Sequence, residues 1–174
     1  MAINGNFLSA NVESVETDAS GWLAGSNTSI AQSTAHALDG THSLALTSTA
    51  SGSTVAFVAN RVGGVTASGL YACYFWMYST IASITAWASV DWYNASNTWI
   101  TNTAGPTVTL ATNTWTQVGA PLVAVATATQ SVPIINVTAT AGSQVFYADE
   151  MFFGPAQLPM ACPVWQAPRR ASVR

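Results

Sequence analysis

Apolar and polar residues alternate along this chain in short runs, the period-two pattern of half-buried strands. Ser43-Leu-Ala-Leu-Thr47 and Thr54-Val-Ala-Phe-Val58 are clear cases. The runs over 70–79 and 84–93 are the two longest, and 28–37 alternates more loosely. Shorter runs fall at 99–101, 107–110, 115–118 and 122–126, and longer ones return at 131–138 and 144–153. Turn signals separate them, such as Arg61-Val-Gly-Gly64 and Asn94-Ala-Ser-Asn97. Amphipathic stretches of helical period are absent, which argues against a βαβ layout. About ten short strands in one domain predict an all-β fold, a sandwich of two antiparallel sheets.

Alternation also assigns faces. In the run 84–93, Ile84, Ala86, Ala88, Val90 and Trp92 form the apolar set and should face the core. Thr85, Trp87, Ser89, Asp91 and Tyr93 form the other set, polar with two aromatic rings. The preceding run is rich on both sides: Tyr71, Cys73, Phe75 and Met77 against Ala72, Tyr74, Trp76 and Tyr78. Such a strand is either central and covered or carries an aromatic platform.

Composition narrows the function. The chain has 174 residues, with seven Asp or Glu against four Lys or Arg, a net charge of −3. All four cations are arginines, and three of them (Arg169, Arg170, Arg174) lie at the C-terminus. A body with one cation lacks the basic footprint of a nucleic-acid binder. Thr, Ser and Asn take the place of charge on the surface, and so uncharged a surface predisposes a protein to association. No apolar stretch is long enough to insert in a membrane. The N-terminus lacks the basic and apolar regions of a signal peptide, which predicts synthesis in the cytoplasm without export.

The character of the chain changes near residue 154. Segment 155–174 holds four of the seven prolines, Pro155, Pro159, Pro163 and Pro168. It is expected to be an extended anchoring tail, following a domain over 1–154. Leu158, Met160, Val164 and Trp165 would be its apolar anchors, and Arg169, Arg170 and Arg174 its polar contacts. Cys73 reads as a buried thiol and Cys162 as a tail thiol, with a Cys73–Cys162 bridge as the alternative.

Several pieces of sequence resemble a known group when taken in order. Asn4-Gly5-Asn6-Phe7 is followed by Val15-Glu16-Thr-Asp-Ala-Ser-Gly21-Trp22, then by Asp39-Gly-Thr-His-Ser43-Leu44. Val90-Asp-Trp-Tyr-Asn-Ala-Ser-Asn-Thr-Trp-Ile100 has the form of a family hairpin. Trp115-Thr-Gln-Val118 and Phe146-Tyr-Ala-Asp149-Glu-Met-Phe-Phe153 complete the set. Together these resemble the jelly-roll domains of carbohydrate-binding modules, of the galactose-binding-like kind. In particular they resemble the versions found in actinobacteriophage structural and minor tail proteins. Three departures stand out: an insertion between Phe7 and Glu16, Asn94 in place of the hairpin Asp, and Asn97 in place of Gly.

The resemblance implies a non-enzymatic virion structural protein: a minor tail, fibre or capsid decoration component. Its partners would be other virion proteins, copies of itself and host glycans. The alternative it implies is a carbohydrate-binding module for host cell-surface glycans. On that alternative Trp87, Asp91 and Tyr93 share one face, with Trp76 or Tyr74 joining from the preceding strand. The resemblance also implies one structural calcium ion held by Glu16 and Asp149, with Asp18 or loop carbonyls completing the shell. Catalysis is not expected. Glycoside hydrolysis needs two carboxylates across one cleft; Asp149 and Glu150, adjacent in a strand, should point to opposite faces, and Asp91 has no evident partner. His36 and His42 read as surface or turn residues.

Overall fold

The computed structural model describes residues 5–156. They form two antiparallel sheets packed face to face, as the alternation predicts. The elements in order are α1 (Ala10–Ser14), β1 (Trp22–Ala24), β2 (Thr28–Ser33), β3 (Ser43–Ser48), β4 (Gly52–Val58) and β5 (Leu70–Ser79). Then follow β6 (Thr85–Tyr93), β7 (Trp99–Ala104), β8 (Val108–Thr109), β9 (Thr116–Val123), β10 (Gln130–Ala139) and β11 (Val145–Pro155). One sheet runs β1-β4-β10-β6-β7, with β8 also paired to β6. The other runs β2-β3-β11-β5-β9.

The core lies between the sheets. Ala86, Ala88, Val90 and Trp92 of β6 face Phe75 and Met77 of β5 and Phe146 and Phe153 of β11, all buried. Trp92 is fully enclosed among Tyr71 and Phe153, and its indole N–H donates to the Thr103 hydroxyl at 2.9 Å. Burial of such rings supplies most of the stabilisation, and the indole N–H needs its partner because nothing else in an apolar core would satisfy it. Cys73 is a free, buried thiol, its pKa pushed up by burial to about 12.

Several local outcomes differ from the sequence expectation. The strand over 28–37 stops at Ser33, where the chain leaves the sheet as a loop. The short strand expected at 115–118 and the strand or loop expected at 122–126 meet in one continuous strand, β9, which carries Pro121. β9 is an edge strand, where a residue without an N–H costs no ladder bond. Gly119 makes that continuity possible: its φ is +140°, and a Cβ there would collide with the Cys73 carbonyl oxygen. Pro133 lies in central strand β10, but pairing with β4 begins only at Ile134. α1 and β1 are further additions. Ser9 caps α1, accepting the Val12 N–H, and Val15 closes it in the left-handed region.

Asp149 and Glu150 do not simply alternate. β11 carries a bulge between Asp149 and Phe152, with Glu150 at φ +50°. Ala148 and Met151 therefore both face the core, with the two acids between them. Beyond the bulge, β11 has no β3 neighbour, since that pairing ends at Ala148. The N-terminal segment fills the gap: Asn6 accepts the Phe153 N–H at 3.0 Å and donates to the Met151 carbonyl at 2.9 Å. The Phe7 N–H donates to the Phe153 carbonyl at 2.7 Å. This gives Asn6 and Phe7 of the opening motif their structural role. β11 continues through Pro155, and the Ala156 N–H donates to the Leu70 carbonyl. The tail anchors Leu158, Met160, Val164, Trp165, Arg169, Arg170 and Arg174, and Cys162, lie outside the described residues.

Candidate functional site

Register sets out the outer face of the β1-β4-β10-β6-β7 sheet row by row. One row is apolar: Leu23 of β1, Phe57 of β4, Ile134 of β10, then Ser89 and Ala104. The next carries Val132, Asp91 and Asn102, and the one beyond it Gln130, Tyr93 and Trp99. On the opposite side of the apolar row lie Val55, Asn136 and Trp87.

A groove of about 700 Å³ crosses these rows. Val55, Phe57, Val132 and Ile134 make its apolar floor, and Asp91, Tyr93 and Gln130 continue it on the polar side. Arg61 and Asn97 reach it from loops. The Arg61 guanidinium carbon stands 4.3 Å from the centroid of the Tyr93 ring. Asp91 accepts from Asn102 Nδ2 at 2.9 Å, across the β6–β7 pair. The arrangement combines a ring face, an apolar strip and donors and acceptors of fixed direction. That is the equipment of a site for a ligand with one apolar and one hydroxylated side.

The sequence-predicted binding residues divide. Asp91 and Tyr93 line the groove. Trp87 shares their face of β6 and lies opposite Asn136, whose Nδ2 donates to the Trp87 carbonyl at 3.3 Å. Trp76 and Tyr74 are on β5, in the other sheet, and cannot reach this face. The reason is topological: consecutive strands β5 and β6 belong to opposite sheets. On that second sheet His36 stacks on Tyr78 at 4.1 Å and meets Tyr147 edge-on at 4.8 Å, with Trp115 5.5 Å from Tyr78. Arg61, Phe57, Gln130 and Asn97 were missed by sequence reasoning. Gln130 and Phe57 lie in the rows that alternation and register define, so their faces were readable; their strand neighbours were not.

The carboxylates that the resemblance assigns to calcium hold a loop in place. Asp149 is buried, and its Oδ2 accepts the backbone N–H groups of Leu38 at 2.8 Å and Asp39 at 3.3 Å. Its Oδ1 accepts the Glu150 N–H at 2.8 Å. Glu16 Oε1 accepts the N–H groups of Thr41 at 3.0 Å and His42 at 2.9 Å. Glu16 Oε2 takes the Thr41 hydroxyl at 3.0 Å and lies 3.3 Å from His42 Nδ1. Gly40 passes so close to Glu16 that a Cβ there would meet its carboxylate. These bonds, the His42 N–H foremost, hold Glu16 far below the usual carboxylate range, at about 2. Burial pushes Asp149 the other way, partly offset by its three N–H donors.

Asp18 is elsewhere, exposed and bonded to Asn11 Nδ2 and the Ser20 N–H, both at 2.8 Å. Its pKa is lowered, by the Ser20 side chain first. Calcium requires six to eight oxygens converging on one point. Here Glu16 and Asp149 are aimed at N–H and O–H donors, and Asp18 is bonded to neither. Among the described residues no three His, Cys, Asp or Glu side chains form a metal cluster. Through these bonds the two carboxylates clamp the loop between β2 and β3.

No protein-family model matches the sequence, and no curated protein matches it. Solved structures do match. The C-terminal family 22 carbohydrate-binding module of Clostridium thermocellum Xyn10B superposes with a TM-score of 0.67 at 16% identity, over 90% of this chain and 98% of that one. TmCBM61, solved with β-1,4-galactotriose, gives 0.58 at 16% identity, over 87% and 99%. The enzymatically active domain of bacteriophage CBA120 tailspike protein 4 gives 0.62 at 13% identity, over 87% of this chain and 21% of that chain. The fold is therefore the jelly-roll β-sandwich of carbohydrate-binding modules.

Proposed function

We propose that this protein is a non-catalytic glycan-binding module, with the groove on the β1-β4-β10-β6-β7 sheet as its binding site. The observation that carries the reading is the groove itself: Tyr93 and Phe57 offer apolar surface to a sugar ring while Asp91, Gln130 and Asn97 stand beside them for its hydroxyls. The likeness in fold to carbohydrate-binding modules supports it. An ordered row of polar groups beside an apolar floor suits pyranose rings, which present one such side of each kind.

Affinity electrophoresis against a panel of plant and bacterial polysaccharides tests it. The intact chain is expected to be retarded by at least one of them, and Tyr93→Ala to run freely while its Tm stays within about 2 °C. Free migration of the intact chain on every polysaccharide would overturn the reading.

A second reading keeps the same domain on a virus particle, as a tail, fibre or decoration component. The fold shared with part of a bacteriophage tailspike favours it. On this reading the full chain forms a defined oligomer by light scattering and a chain ending at Ala156 is a monomer. Monomers in both cases would count against it.

A further inference from the structure

We infer that the groove selects glycans bearing a carboxylate, a uronic acid residue, and that Arg61 is its specificity-determining residue. This rests on the glycan-binding reading above and names the ligand class within it.

The argument starts from charge. Among the described residues Arg61 is the one Lys or Arg, against seven Asp and Glu. A cation in so acidic a body is expected to pair with a carboxylate. Arg61 does not: no described carboxylate lies within ion-pair distance of it. Asp91, the one carboxylate lining the groove, bonds to Asn102 instead. Arg61 is exposed at the groove and rests on the Tyr93 ring.

Stacking determines what such a guanidinium can do. A ring face 4.3 Å from the guanidinium carbon restrains the group without taking up its N–H donors. Two parallel donors of this kind match the two oxygens of a carboxylate. Lys could supply the charge but not the fork. The other acids do not line the groove, and at physiological ionic strength their repulsion is screened beyond roughly 8 Å. Asp91 remains available to accept a sugar hydroxyl on the same ligand.

The test uses matched pairs: polygalacturonate, glucuronoxylan and hyaluronan, each beside its carboxyl-reduced form, with dextran sulfate as an anionic control. The intact chain is expected to bind at least one acidic form roughly tenfold or more tighter than its reduced partner. Arg61→Gln should abolish that difference and Arg61→Lys should keep only part of it, with Tm unchanged in both. Equal binding of acidic and reduced forms overturns the inference and leaves the glycan reading standing. Binding of dextran sulfate as tight as that of the acidic glycan overturns it too, as attraction by charge alone. Failure to bind any member, with the protein folded, overturns the inference, and the glycan reading falls with it only if the wider polysaccharide panel is negative too.

Discussion

The Leu38 N–H donates to Asp149 Oδ2 at 2.8 Å across 111 residues of sequence. With Asp39 on the same oxygen and Glu16 holding Thr41 and His42, two carboxylates fasten one loop at its middle and near its C-terminal end. Asp149→Ala would leave three N–H groups without their acceptor. It is expected to lower the unfolding free energy by about 1–3 kcal/mol, read as a lower denaturant midpoint at an unchanged m-value. A loss of a few tenths or less would mean that water replaces the carboxylate without penalty.

Acid should weaken the clamp at Glu16. Its folded pKa, about 2, lies below the ordinary 4.5. Its contribution to stability is therefore complete above pH 4.5 and is lost as pH falls toward 2. Glu16→Gln is expected to lose about 1 kcal/mol at pH 7, a modest figure because the site is part-exposed and screened. The gap should shrink as pH approaches 2. Asp149, with its pKa raised by burial, runs opposite: its penalty grows as pH rises through its folded pKa. A gap at Glu16→Gln that is the same at pH 7 and pH 2 would show that charge is not what Glu16 supplies.

Calcium should leave stability unchanged. Both carboxylates that the family resemblance assigns to the ion already accept hydrogen bonds from the loop. Melting in millimolar calcium and in chelator is expected to give one Tm. A rise with calcium, which mass action would produce for any ion binding only the folded state, would overturn the assignment of these residues to a metal-free clamp.

Two tryptophans of the same hairpin should behave oppositely. Trp92 is fully buried and bonded to Thr103, whereas Trp99 is 54% exposed. Trp92→Ala is expected to cost about 3–5 kcal/mol and Trp99→Ala within about 0.5 kcal/mol. Equal losses on chemical denaturation would contradict the facing of β6 and β7.

The sequence by itself determined the all-β class, most strand positions and the two faces of β6, because a side-chain period of two is written directly in residue order. It also placed Asp91 and Tyr93 on the outward face. Which strand lies beside which is not a local property. β5 and β6 follow one another in the chain yet enter different sheets, so Trp76 left the site and Phe57, Gln130 and Arg61 entered it. The bulge at Glu150 and the loop clamp were equally out of reach. A residue at φ +50° breaks alternation without changing its pattern of types, and Asp149 meets Leu38 only when distant strands pair. Short-range periodicity decides how a strand faces; the tertiary structure decides what it faces, because pairing joins residues that the chain keeps far apart.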